Sequence, residues 1–312
     1  MAVINTGLLE KGLRSEFFGR FQGTQTFWDD LATRIPSTSD HEKYAWLGSL
    51  PKMREWGSGR LAQGLSTEHY SVENLKYEAT IEVDRDEIDD DQTGQIRLRI
   101  GEMAEAAATH KDYLIEQLLL NGAVSGFNSY DGVTFFNIAH VSGASGQQSN
   151  LIEADAADAD VPTTAEFRAA ICKAIGQMVA YKDDKGQPIR IPPNPTGFRV
   201  IVPPATMFQA LEALSLPLAP TAINPIAANV LQGTGQVFVF PGLTDATKFY
   251  LAKVDVACRP FIFQDRMPIE FQALAEGSAE EFKKEKYLYG VRARYRVTYG
   301  KWFYCVAVTF TE

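Results

Sequence analysis

Leu9, Leu13, Phe17 and Phe21 recur at four-residue spacing with Glu10, Lys11, Arg14 and Glu16 between them, which predicts an amphipathic helix that needs a partner surface. From Trp28 to Gly64 the pattern changes: Trp28, Trp46 and Trp56 stand among four Gly and two Pro, and neither a helix nor a strand period is sustained. This region reads as an extended arm that seats large side chains on another surface, because contiguous exposed apolar area marks an interaction site. Residues Tyr70 to Val83 then alternate, with Leu75, Tyr77, Ala79, Ile81 and Val83 on one face and Asn74, Lys76, Glu78, Thr80 and Glu82 on the other, predicting one long strand with a wet face. An acidic run, Asp84 to Asp91, leads into a helix from Gln95 to Gly122 that carries Met103, Ala107, Leu114 and Leu118 on one stripe. At its usual rise that helix is about 40 Å long, the longest element expected.

Past a Gly-, Ser- and Asn-rich stretch from Gly122 to Asn150 and an acidic linker from Glu153 to Asp160, a second unit begins. Thr163 and Glu166 have capping-box spacing ahead of Phe167, Ile171, Ile175 and Met178, so a helix is expected from Thr164 to near Tyr181. Phe198 to Val202 reads as a strand stopped by Pro203-Pro204, and Ala205 to Leu214 as a short helix. Gln236–Phe240, Lys248–Val254, Pro260–Phe263 and Ile269–Leu274 read as strands, and Tyr287 to Thr309 as two more joined by a turn at Tyr299-Gly300-Lys301.

Composition narrows the class. With 312 residues, 45% hydrophobic and 22% charged, the chain is an ordinary globular one able to bury a sizeable core. The formal charge of −9 argues against a generic polyanion-binding surface. No apolar run reaches the length of a membrane span, and the first residues lack the features of a secretory signal, so folding in a cytoplasm is expected. Cys172, Cys258 and Cys305 lie in apolar or mixed segments without metal spacing and read as buried free thiols.

Little reactive chemistry is patterned. The acidic run lacks the glycine and spacing of an EF-hand loop, and acidic residues near a helix start are favoured electrostatically in any case. Gln232-Gly233-Thr234-Gly235-Gln236-Val237 begins like a dinucleotide loop, but Phe238 occupies the third glycine position and a strand follows. Ser142-Gly143-Ala144-Ser145-Gly146 is not a nucleophile elbow and reads as a flexible loop. His140, which follows Phe135 and Phe136, reads as a packed, hydrogen-bonded core residue. No catalytic residue, cofactor site or metal site is expected.

Tyr44-Ala45-Trp46-Leu47-Gly48-Ser49-Leu50-Pro51-Lys52-Met53-Arg54-Glu55-Trp56, followed by Arg60, Tyr70, Asn74 and Glu78-Ala79-Thr80, resembles the Mu-type major head subunit family of tailed bacteriophages and prophages. Asp84-Arg85-Asp86, Asp89-Asp90-Asp91, Gly94 and Asp131-Gly132-Val133-Thr134-Phe135-Phe136 with His140 continue the likeness in the same order. It is strong from Leu8 to His140. From there to Glu312 it is looser, carried by element order, the Pro203-Pro204 break and the aromatic C-terminal strands.

The resemblance implies an α+β chain of the Hong Kong 97-type capsid fold. It assigns residues 1–40 to an N-arm, 41–92 to an extended loop and its strands, 93–160 to a peripheral domain with a long spine helix, 161–262 to an axial domain, and 263–312 to a return into the peripheral-domain sheet. It implies a structural protein without enzymatic activity: a head subunit that assembles as hexamers and pentamers into an icosahedral shell around double-stranded DNA, without sequence-specific binding. Partners implied are a scaffold or protease, a portal and decoration proteins; the location implied is the virion, after assembly in the host cytoplasm. The expected subunit interface is Tyr44, Trp46, Leu50, Met53 and Trp56 as apolar anchors, with Arg54, Glu55, Arg60, Glu68 and Lys76 setting register by charge.

Two alternatives stay open at this point. One is an encapsulin-like or gene-transfer-particle shell of the same fold. The other is a metal-dependent hydrolase built on the Asp84–Asp91 carboxylates, for which Asp86→Ala and Asp89→Ala would abolish turnover and bound metal while leaving assembly intact.

Overall fold

The computed structural model describes residues 6–48, 70–89, 94–191, 195–218 and 227–312. In chain order the elements are α1 (Thr6–Gly23), α2 (Trp28–Leu31), β1 (Ala32–Pro36), β2 (His41–Lys43), β3 (Ser71–Glu73), β4 (Leu75–Asp84), α3 (Arg85–Asp89) and α4 (Gln95–Asn121). There follow β5 (Leu151–Asp155), α5 (Thr164–Val179), β6 (Phe198–Val202), α6 (Met207–Ser215), β7 (Gly235–Val239), β8 (Lys248–Lys253), β9 (Phe261–Leu274), α7 (Ala279–Lys284), β10 (Lys286–Tyr299) and β11 (Cys305–Thr311). They form a four-stranded sheet in the order β1-β9-β10-β4, a five-stranded sheet in the order β5-β11-β8-β6-β7, and the small pair β2-β3.

Apolar spacing accounts for the helices. Leu13 and Phe17 of α1 are fully buried against Ile100 and Ala104 of α4 and against Phe271, whose ring centroid lies 5.4 Å from that of Phe17. The α5 start is the expected capping box: Thr163 Oγ1 accepts from the Glu166 amide while the Glu166 carboxylate accepts from the Thr163 amide.

Helix α4 joins the two sheets. Its last carbonyls, which have no partner within the helix, accept hydroxyls from both: Tyr299 of β10 donates to Leu118 O at 2.7 Å and Tyr250 of β8 to Leu119 O at 3.2 Å. Asp112 on the same helix accepts from the Phe27 and Trp28 amides at 3.0 and 2.7 Å and so fixes the start of α2. Burial raises the Asp112 carboxyl above its ordinary pKa, against the pull of these two amides.

Four expectations change. Residues 28–48 are not a bare arm: they form α2, β1 and β2, and β1 pairs in parallel with β9, because Leu31 and Ala32 find burial inside their own chain. The long strand of residues 70–83 breaks at Asn74, whose amide donates to Asp40 O at 3.1 Å instead of continuing the ladder. The residues expected as two strands, Pro260–Phe263 and Ile269–Leu274, fall, apart from Pro260, in one strand, β9. Its register against β10 shifts between Arg292 and Tyr295, and Pro268, which has no N–H to give, falls in that irregularity.

Finally, β10 and β11 do not share a sheet, so 263–312 is not a simple return to one sheet. Cys305 to Val308 is apolar and buried on both faces, which suits a central strand, and β11 accordingly lies between β5 and β8. One core cluster surrounds the five-stranded sheet and the adjoining half of the other; a second is built from α1, the first half of α4 and the distal parts of β4, β9 and β10.

Candidate assembly site

Strands β2 and β3 pair antiparallel, and the Tyr44 amide donates to Tyr70 O at 2.8 Å, so residues 44 and 70 are held side by side. Beneath the pair lies a closed polar network. The Gln264 amide group donates to Asn74 Oδ1 at 2.8 Å and its Oε1 accepts the Tyr44 hydroxyl at 2.6 Å. Asn74 Nδ2 donates to Ser37 Oγ at 2.9 Å and to Ser39 O at 3.0 Å. Ser37 Oγ in turn donates to Glu42 Oε1 at 2.8 Å, and the amides of Thr38 and Ser39 donate to the same oxygen.

Gln264 is fully buried and Asn74 nearly so; such groups are tolerated inside a protein only when each donor and acceptor is matched. Donation by Ser37, then by the Ser39 and Thr38 amides, holds the Glu42 carboxyl below its usual range. The Tyr70 hydroxyl and Thr298 Oγ1 lie 2.5 Å apart and tie β10 to the same corner.

Of the residues expected at an interface, Tyr44, Trp46 and Lys76 fall in described parts, whereas Leu50, Met53, Arg54, Glu55, Trp56, Arg60 and Glu68 lie outside the described residues. Tyr44 is a correction: it is 4% exposed, its ring packed in its own chain's core and its hydroxyl bound to Gln264, so it anchors the corner from within. Trp46 is half-buried, edge-on to Tyr44 at 6.3 Å, and 6.0 Å from Lys301 Nζ. Burial lowers the Lys301 pKa. Lys76 is exposed on β4, directly across from Arg294, an unfavourable like-charge pairing that Arg294 offsets by donating to Asp40 Oδ1 at 2.6 Å. Sequence reasoning missed Ser37, Gln264 and Arg294. The one available signal was Gln264, a polar residue closing the apolar run Phe261-Ile262-Phe263.

Elsewhere, His140 is the packed core residue anticipated. It is fully buried and stacked on Trp302 at 4.1 Å, with Nδ1 2.6 Å from Asp131 Oδ2 and Nε2 near Phe135 O and Asn150 Oδ1. Cys258 and Cys305 are buried, but Cys172 is exposed because the inward stripe of α5 runs through Ile171, Ala174 and Met178. In the acidic run, Asp84 Oδ1 accepts the Asp86 amide at 3.3 Å and Asp86 and Glu87 occupy the first turn of α3. Among the described residues no group of three or more His, Cys, Asp or Glu could hold a metal; Asp90 and Asp91 lie outside them. No helix of the described residues is long and apolar enough to cross a membrane.

A long helix bridging two sheets, beside a small antiparallel strand pair, is the arrangement of the Hong Kong 97-type capsid fold. The procapsid of bacteriophage JBD30 shares it with a TM-score of 0.60 at 23% identity, over 100% of this chain and 77% of that one. The model of the Mu-like prophage major head subunit gpT family matches residues 7–162 and 234–311, and the chain belongs to that family. It is 30% identical over 149 residues to the major capsid protein of Escherichia phage Mu and 32% identical over 125 residues to the Mu-like prophage FluMu major head subunit of Haemophilus influenzae. These alignments take in 46% and 39% of this chain and span 48% and 39% of the two curated relatives, about half their length or less.

Proposed function

We propose that the chain is the major head subunit of a tailed phage or prophage, a structural protein that assembles as hexamers and pentamers into an icosahedral shell around double-stranded DNA. The observation that carries this reading is the corner at Tyr44, Asn74 and Gln264. A buried, fully matched network is built beneath the β2-β3 pair, beside Tyr44 and Tyr70, and the sequence between those two residues holds Leu50, Met53 and Trp56. A rigid base beside an apolar-rich stretch of sequence suits an arm that grips a neighbouring copy.

In this reading residues 49–69 belong to the extended loop, α4 is the spine helix of the peripheral domain, and the five-stranded sheet with α5 and α6 forms most of the axial domain. A scaffold or protease, a portal and decoration proteins are the partners such a shell takes, and assembly proceeds in the host cytoplasm to give the virion. The net charge of −9 fits a container that must let DNA enter and leave without holding it.

Electron microscopy and sedimentation of the purified chain, alone and with a candidate scaffold, test the proposal. Closed shells, tubes or ring-shaped hexamers are expected, and Trp56→Ala is expected to leave soluble subunits or capsomers that do not close. A monodisperse monomer or dimer under every condition would overturn the reading.

A further inference from the structure

The two apolar cores part at one level of the molecule. On β10 the division falls between Val291 and Ala293, on β9 between Phe263 and Phe271, and on α4 between Ala104 and Ile115. At that level lies a cavity of about 210 Å3 between α4 and the four-stranded sheet. Its origin is in the sequence: Ala79 of β4, Ala107 of α4 and Ala293 of β10 all line it, and small side chains on facing elements leave space that close packing would otherwise fill. The exposed Arg292 shares the lining, so the space is reached from solvent.

The wall also joins three aromatic rings, Tyr77, Tyr295 and His110, to Ile269, Val291 and Glu78. The Tyr77 and Tyr295 rings lie 4.8 Å apart, and His110 stands edge-on to Tyr77 at 4.6 Å. His110 Nδ1 is 2.7 Å from the Tyr295 hydroxyl, while Nε2 has no hydrogen-bond partner among the described residues. If the tyrosine donates to Nδ1, Nε2 carries the ring proton and donates; if the ring donates, Nε2 accepts. A hydroxyl serves either tautomer, because it both donates and accepts. An apolar cavity of about 150 Å3 is enough to take up benzene, so a single substituted ring fits here.

We propose that this seam is a binding site for a compact phenolic molecule, one aromatic ring with one hydroxyl, the ring seated among Tyr77, Tyr295 and the alanines and the hydroxyl meeting His110 Nε2. Because the ligand would touch both cores at once, its occupancy would stiffen the join between them.

The test uses the full chain before assembly, with phenol and toluene as probes in ligand-observed NMR and thermal unfolding. Saturable phenol binding that raises the unfolding temperature is expected, with toluene weaker by about fivefold, the worth of one neutral hydrogen bond. His110→Phe should erase that preference. Ala107→Leu fills the space and should reduce phenol binding at least about tenfold while the far-ultraviolet circular dichroism stays unchanged; Ala293→Val serves the same purpose should the first variant not fold. No saturable phenol binding to the folded chain, equal binding of phenol and toluene, or binding that survives in the folded filling variants would each overturn the proposal.

Discussion

Tyr44 and Gln264 are joined by a 2.6 Å hydrogen bond across 220 residues of sequence, and both are buried. Gln264 uses its other end on Asn74 and Val72, so one side chain holds β3, the segment after β2 and β9 together. Replacing Gln264 with Leu keeps the volume but strands the Tyr44 hydroxyl and Asn74 Oδ1. Each stranded group costs about 1–3 kcal/mol, so the urea midpoint of the unassembled chain should fall markedly. Tyr44→Phe, which strands only Gln264 Oε1, should cost less.

Gly300 and Gly19 make an opposed pair. A methyl group at Gly300 would sit 2.5 Å from Arg259 O and 3.1 Å from Pro260 O, both backbone atoms, whereas one at Gly19 meets nothing within 4 Å. Gly300→Ala is expected to destabilise by about 1–3 kcal/mol. Gly19→Ala, inside α1, is expected to stabilise by about 0.5–1 kcal/mol through helix propensity. Calorimetry of the two variants should show shifts of opposite sign.

Burial lowers the His110 pKa below the ordinary 6.5. The folded chain therefore takes up its proton at lower pH than the unfolded chain, so the stability tied to this ring is complete above 6.5 and is lost as pH falls through the folded value. Between about pH 7.5 and about 5.5, where histidine titrates, the wild type should lose more stability than His110→Gln. The other three histidines are common to both proteins. Equal pH slopes in thermal melts would refute this.

The three thiols should separate by reagent. Burial pushes Cys258 up to about 11 and Cys305 higher still, while Cys172 is exposed. A thiol-reactive dye should label Cys172 alone in the native chain and all three after unfolding. Reducing agent should leave assembled particles intact. Native labelling at Cys305 would contradict the burial described.

Local signals were legible where a local rule decides the outcome. The Thr163 and Glu166 capping box, the inward stripe of α5, the α4 span and β6 between Phe198 and Val202 all follow from spacing, because each element buries one face or ends at a proline. The corner at Gln264 was not legible, because its meaning lies in partners at Tyr44 and Asn74 that no periodicity connects. The β9 reading failed at Pro268, where a proline ordinarily ends a strand but here fits a bulge. Assigning Tyr287–Thr309 to one sheet failed because Gly300-Lys301 looks like a hairpin turn yet carries the chain from one sheet to another.

The parallel pairing of β1 with β9 fixes an order of events in the cell. Arg34 and Asp265 are ion-paired across 231 residues, so β1 waits for β9 to be made. At a synthesis rate of about 5–20 residues per second that wait is roughly 10–50 s. Until it ends the four-stranded sheet lacks its edge, and β10 and β4 come together only after β9 has been made. A nascent chain that has not yet passed Tyr299 therefore cannot complete the four-stranded sheet.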